Sequence, residues 1–165
     1  MKSIGGRIII VSMLGELVSD ALKDFAQVAV LAHATVPLDQ FDVEILAKPH
    51  KAKALPLGKM AVYSFFLDER ALKVGKVGPN SGPRFTYQHY TGSALSTLSG
   101  SILSNQRRVG AAGLDNKTAG DWIRANTDRI DILMPAAFGI AVLSLLESFL
   151  HVRWNPMFEG PREAD

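Results

Sequence analysis

The chain contains no cysteine. That excludes disulfides, zinc knuckles and thiol nucleophiles, and nothing in the composition calls for an oxidising compartment, so a cytoplasmic setting fits best. Long apolar runs are also missing. The strongest membrane candidate, Ile132 to Leu150, is interrupted by Pro135, Gly139 and Glu147, and its uncharged stretch from Met134 to Leu146 is thirteen residues, short of the roughly 20 that span a bilayer. It reads as a buried amphipathic helix, and no membrane partner is expected. Met1 to Leu14 lacks a long apolar region with a small-residue cleavage site, so Ile8-Ile9-Ile10-Val11 reads as a strand and not as part of a signal peptide.

Acidic residues are scarce in the middle of the chain. From Lys48 to Arg108 there are ten Lys or Arg against Asp68 and Glu69, a local charge of +8, although the whole protein carries only +2. A basic centre of this kind suits a polyanionic partner. With 165 residues, 47% of them hydrophobic, the chain is long enough for one domain with a real core and an appended segment.

The hydrophobic pattern divides the chain at residue 60. Residues 1–59 read as an N-terminal extension: the Ile8 to Val11 strand, then an amphipathic helix through Leu14, Leu17, Val18, Ala21, Leu22 and Phe25 to about His33, a loop or short strand over Val36 to Leu46, and a basic connector from Lys48 to Lys59. Residues 60–165 read as the main domain. Met60 to Leu67 and Ala71 to Lys76 form an antiparallel hairpin around Asp68-Glu69-Arg70. Arg84 to Tyr90 and Ala94 to Gln106 read as helix or helix fragments. Thr118 to Asn126 is a short helix, Arg129 to Met134 a third strand, and Ala137 to Val152 a long helix ending before Pro156. The fold class is α+β, a small three-stranded antiparallel sheet flanked by helices.

Chemistry-bearing residues concentrate in the hairpin and just beyond it. The hairpin can bring Tyr63 and Lys73 together, since they lie within a few residues of register on facing strands. A phenol beside an ammonium can act as a base, because the cation favours the phenolate. Arg84 follows the loop Gly78-Pro79-Asn80-Ser81-Gly82-Pro83, near a helix start where backbone N–H groups also favour anions, and an arginine there can grip a phosphate. Lys76, Gln88, His89 and Tyr90 lie close in sequence and could add a phosphate contact or a proton donor. Glu147 stands in a helix that is apolar around most of its circumference, where a carboxylate needs a partner. It either projects from a narrow polar stripe with Ser144 and His151 or holds a cation such as Mg2+. His33 and His50 lie outside this cluster and are assigned no role.

The order Val62-Tyr63, Lys73-Val74-Gly75-Lys76, Arg84, helix, strand, helix with Glu147, and Pro156 resembles the GIY-YIG nuclease superfamily over Met60 to Gly160. That superfamily includes homing endonucleases, the catalytic module of an excision-repair nuclease and some type II restriction enzymes. By this resemblance Tyr63 falls on the first signature tyrosine, Gly75 on the glycine closing the second motif with Lys76 after it, Arg84 on the essential arginine and Glu147 on the metal-binding glutamate. Lys73 takes the place of the second signature tyrosine, as some restriction enzymes of this family look to have it. Glu159 stands where a late asparagine is expected, with Asn155 nearby. Gln88 occupies the histidine or tyrosine position, and His89, one residue on, is the favoured substitute.

The resemblance implies a GIY-YIG-like sheet with the site on one face and a metal-dependent endonuclease acting on DNA. Tyr63, lowered in pKa by Lys73, would deprotonate water; Arg84 would neutralise the nonbridging oxygens; one Mg2+ or Mn2+ held by Glu147 would stabilise the leaving 3′ oxygen. His89 completes the catalytic set, and Lys76, Gln88 and Tyr90 would bind substrate. A restriction or defence enzyme is expected, which would cut as a homodimer. A repair or structure-specific nuclease, or a nucleic-acid-binding protein that keeps the scaffold without turnover, are the alternatives.

Overall fold

A computed structural model describes residues 4–158, with side chains from residue 11 onward. Five α-helices and a four-stranded sheet are present among these residues, in the order α1 (Ile4–Leu31), β1 (Asp42–Leu46), β2 (Lys59–Leu67), β3 (Arg70–Val77), α2 (His89–Thr91, a single turn), α3 (Leu98–Ser104), α4 (Ala119–Asn126), β4 (Asp128–Pro135) and α5 (Ile140–Trp154). The class is α+β, and the strands lie in the order β1-β4-β2-β3, each pair antiparallel.

Strands β2 and β4 sit in the middle because both of their faces are buried. Met60 to Phe66 and Asp128 to Met134 are buried along their whole length; Met60 to Phe66 accordingly reads as a nearly continuous apolar run, whereas Asp128 to Met134 buries the charged residues Asp128, Arg129 and Asp131 among its apolar ones. Helices cover both faces. On one, Val62, Phe66, Val74, Ile130, Ile132 and Met134 pack against Leu14, Val18, Ala21 and Phe25 of α1 and Leu143, Leu146 and Leu150 of α5. On the other, Ala61, Tyr63, Phe65 and Leu133 meet Tyr90 of α2, Leu98 and Ile102 of α3 and Ile123 of α4. Full burial of each large apolar side chain contributes about 1.5–3 kcal/mol.

Two expectations are corrected here. Ile8 to Val11 is not a strand but lies within α1, because a short β-branched apolar run has no periodicity of its own to distinguish strand from helix. The sheet has four strands and not three: Val43 and Ile45 of β1 pair with Ile132 and Ile130 along the otherwise open edge of β4, which satisfies backbone groups that an edge would expose. The segment before residue 60 thereby contributes a strand and a helix to the same core as the segment after it. No helix among the described residues is long and apolar enough to cross a membrane.

The hairpin β2–β3 carries a bulge. Phe65 pairs with Lys73 but Phe66 pairs with Ala71, leaving Leu72 as an extra residue. Beyond it, Gly75 lies opposite Tyr63 and Lys76 opposite Val62. Because side chains alternate between faces, Lys73 and Gly75 share the face of Tyr63, whereas Val74 and Lys76 point to the α5 side.

Candidate active site

Tyr63 is the fully buried centre of the site. Its ring lies across Gly75 on the neighbouring strand: a Cβ at position 75 would stand 2.5 Å from the Tyr63 hydroxyl. Only glycine leaves the phenol room to lie flat along the sheet, so Val74-Gly75-Lys76 is a steric requirement of Tyr63.

Two donors converge on the Tyr63 oxygen. His89 Nε2 is 2.5 Å away and Arg84 Nε is 3.3 Å away. The direction of the histidine bond is fixed by the other ring nitrogen, because Nδ1 faces the backbone N–H of Leu98 at 3.2 Å. An amide N–H can only donate, so Nδ1 accepts, the ring proton resides on Nε2, and Nε2–H donates to the phenol. The imidazole stays neutral: burial, followed by the charges of Lys73, Arg84 and Arg129, pushes its pKa down to about 2.

That depression makes folding pH-dependent. A histidine that titrates near 6.5 in the unfolded chain and near 2 in the native one gives the unfolded state the first proton as pH falls. The contribution of His89 to stability is therefore intact above pH 6.5 and is lost progressively below it, at about 1.4 kcal/mol per pH unit. Urea unfolding of wild type and His89→Gln at pH 6.5 and pH 5 checks this. Wild type should lose about 1.5–2 kcal/mol more than the variant over that interval; parallel losses would show that His89 titrates normally. The difference between the two proteins also removes the contribution of His50, whose pKa burial lowers as well.

Arg84 opens a π-helical turn, Arg84–Gln88, of the kind that often marks functional positions. Its Nη1 donates to the Leu95 carbonyl at 3.3 Å and Nη2 to the Ser96 carbonyl at 3.4 Å, with Ser96 in the left-handed region at φ +54°. Of the five guanidinium N–H groups, three are used to fix the side chain, and two remain to meet a ligand at the partly exposed face.

Lys73 is fully buried and lies 3.4 Å from Ser96 Oγ. Burial and Arg84 lower its pKa to about 8. The phenol pKa is raised, first by burial, and the cations that oppose the rise are Arg84 and Arg129. Both carry permanent charge, whereas Lys73 is close to half neutral near pH 8.

Glu147 approaches from the other layer. On α5 it pairs with Lys76, which leaves edge strand β3 on that side, and the two are in direct hydrogen-bonded contact. Its charge adds to the rise at Tyr63 and offsets part of the fall at Lys73. No group of three or more His, Asp or Glu side chains among the described residues could form an all-protein metal cage. Asn155, in the left-handed conformation at φ +42°, ends α5, and Glu159 lies outside the described residues.

Gln88 is half-buried on the π-helical turn. Tyr90, expected to bind substrate, is instead buried behind the site. Its hydroxyl meets His50 Nε2 at 2.9 Å and accepts from Arg129 Nη1 at 3.0 Å, while His50 Nδ1 lies 2.8 Å from the Thr127 carbonyl. Arg129 Nε donates to Asp131 at 2.7 Å, with both side chains fully buried. The guanidinium carbon stands 4.6 Å from the Phe85 ring centre, 5.3 Å from that of Phe65 and 5.5 Å from that of Tyr63. Burial pushes the Asp131 carboxyl up, and the Arg129 guanidinium beside it opposes the rise.

Sequence reasoning missed this network, including His50. The available signal was Arg129 and Asp131 two residues apart in an apolar strand, which places both on the Tyr63 face with no route to water. In comparisons with known proteins the chain matches no family model, no curated protein and no solved structure.

Proposed function

We propose that this protein is a metal-dependent nuclease that hydrolyses phosphodiester bonds of DNA, with Tyr63 as the general base. The observation that carries this reading is the Tyr63 oxygen accepting from two fixed donors, His89 Nε2–H and Arg84 Nε–H. Donors aimed at a phenol oxygen stabilise the phenolate over the phenol. With both in place, the remaining lone pair of the phenolate takes a proton from water. The resulting hydroxide attacks phosphorus, the bond to the 3′ oxygen breaks and that oxygen takes a proton from solvent water, and Tyr63 returns its own proton to solvent. The two free N–H groups of Arg84 meet the nonbridging oxygens.

Glu147 is the carboxylate on which the resemblance places a divalent cation; in the structure it is paired with Lys76, and an ion there would draw the rest of its shell from substrate phosphate and water. Mg2+ or Mn2+ held there would supply charge to the leaving 3′ oxygen. The basic segment from Lys48 to Arg108 supplies attraction for the polyanion. A restriction-type enzyme cutting both strands of a symmetric site would act as a homodimer.

Plasmid DNA incubated with Mg2+ tests the reading. Wild type should nick or linearise it, and Glu147→Ala should lower the rate by about 10²-fold or more, the scale of removing one element of transition-state charge stabilisation. Equal behaviour of the two proteins, with DNA bound but uncut, would favour a nucleic-acid-binding protein that uses Arg84 without turnover.

A further inference from the structure

We infer that Ser96 and Lys73 form a nucleophile and base pair that hydrolyses carboxylic esters through an acyl-Ser96 intermediate. This activity goes beyond the nuclease reading and does not rest on it, since neither Tyr63 as base nor a divalent ion takes part.

The pair arises from the sheet register. Lys73 lies opposite Phe65 at the bulge and shares the face of Tyr63, where it meets the segment that joins α2 to α3. That segment starts at Gly92, in the left-handed conformation at φ +67°, and runs to Thr97, the N-cap of α3. Ser96 within it is exposed, and its hydroxyl stands 3.4 Å from the amine of the fully buried Lys73. An electrophile can reach the Ser96 oxygen from solvent while the base stays shielded behind it.

Two further observations single out Ser96. Its backbone lies at φ +54°, a conformation that is costly for a non-glycine residue and that clusters at active sites. Arg84 also grips it, with Nη1 on the Leu95 carbonyl at 3.3 Å and Nη2 on the Ser96 carbonyl at 3.4 Å. The guanidinium therefore stands beside the oxyanion that forms when Ser96 attacks a carbonyl. Ser93, also exposed, has its hydroxyl 2.9 Å from Thr91 Oγ1, a group that is no base.

The charges acting on Lys73 are Arg84 and, from α5, Glu147; His89 on the same face stays neutral. With its pKa at about 8, the amine is free to accept a proton in mildly alkaline solution. The Ser96 proton passes to Lys73 Nζ as Oγ bonds to the ester carbon. The bond to the alcohol oxygen then breaks, and that oxygen takes the proton from Lys73. Water next attacks the acyl carbon and gives a proton to Lys73, the bond to Oγ breaks, and Ser96 regains its proton as the carboxylic acid leaves.

A fluorophosphonate, whose fluoride a serine oxygen displaces, tests the pair on the full chain with the labelled residue located by mass spectrometry. Wild type should be labelled at Ser96 and should hydrolyse p-nitrophenyl acetate. Ser96→Ala should lose both, and Ser93→Ala should match wild type. Lys73→Met should label about 10²-fold more slowly or worse, the scale of a lost general base. Lys73→Arg should not restore the rate, because a guanidinium keeps its charge but takes no proton. In wild type the labelling rate should climb with pH and level off above about pH 8, where the amine is neutral. Labelling or hydrolysis by Ser96→Ala at the wild-type rate overturns the inference, as does Lys73→Met or Lys73→Arg reacting like wild type. Should circular dichroism show these Lys73 variants unfolded, the wild-type pH profile decides, and a rate without inflection near pH 8 overturns the pair. Labelling at Ser96 in a protein that cuts no DNA would support this activity while the nuclease reading falls.

Discussion

Replacing Tyr63 by phenylalanine is expected to lower the proposed DNA-cleavage rate by about 10²–10⁴-fold, the range that a positioned general base contributes. DNA affinity should stay within a few-fold of wild type. The substitution removes one oxygen and keeps the ring that lies over Gly75 and packs edge-on to Phe65 and Phe85, so the sheet face should hold its shape. It does leave the His89 Nε2–H and Arg84 Nε–H without the acceptor they share. A stability loss of about 1–3 kcal/mol is the scale for such buried donors, and the assay should be run well below the unfolding temperature.

The pH profile separates Tyr63 from its nearest competitor for the role. Burial raises the Tyr63 pKa from its ordinary value of 10, so the phenolate fraction, and with it the wild-type rate, should keep rising through pH 8 and beyond. Lys73 titrates at about 8. Were its amine the base, the rate would level off above that pH. A plateau near pH 8 that disappears in Lys73→Met, with Tyr63→Phe still active, would sink the assignment of Tyr63.

Asp131→Ala is expected to produce the largest loss of stability, about 3–5 kcal/mol, because it strands the guanidinium of Arg129 in a dry interior. In a protein of this length that corresponds to a fall in melting temperature of roughly 6–20 °C. The size follows from geometry: both side chains are fully inaccessible, and Arg129 Nη2 and Asp131 Oδ2 have no further protein partner. The paired substitution Arg129→Met with Asp131→Leu should recover most of the loss, since an apolar pair incurs no charge-desolvation cost. It should not recover activity. Arg129 stands behind the rings of Tyr63, Phe65 and Phe85 and is one of the cations that hold down the phenol pKa. Thermal unfolding and cleavage rates measured on the single and double variants check the two halves separately. Equal stability of Asp131→Ala and wild type would mean that water reaches this pair.

The hairpin and α5 were readable from local pattern because each has an apolar run of the right length bounded by turn or capping residues, and α4 and β4 because Ile130 to Met134 follows a short segment closed by Asn126-Thr127. Thr97, whose Oγ1 accepts from the Gly100 amide at 3.3 Å, starts α3, and Asn155 ends α5 in the left-handed conformation. Strand β1 was less legible. Asp42–Leu46 is half-buried at most, and its partner β4 lies half the chain away, so a local window cannot see the edge it covers. Ile8 to Val11 misled for the opposite reason: β-branched residues resemble a strand until helix α1 supplies their neighbours.

Among the site residues, Tyr63, Lys73, Arg84, His89 and Glu147 could be singled out by residue type and order. Their partners could not. That His89 donates to Tyr63 depends on the Leu98 amide at its other nitrogen. That Glu147 holds Lys76 depends on α5 crossing the far face of the sheet beside the edge strand. Burial of Tyr90 among His50, Arg129 and Arg124 moves it from the substrate surface to the support of the site.

The sequence by itself determined the α+β class and the position of most elements, because hydrophobic period and turn residues are local properties. Tertiary structure decided which charge faces which. The bulge at Leu72 and the pairing of Tyr63 with Gly75 set the sheet faces, and those faces separate Lys73 from Lys76, send Lys76 to Glu147, and leave Arg84 and His89 on the phenol. Whether a group is buried, and which partner shares its burial, sets its charge state and its strength as an acid or base; both arise only when segments far apart in the chain close on one another.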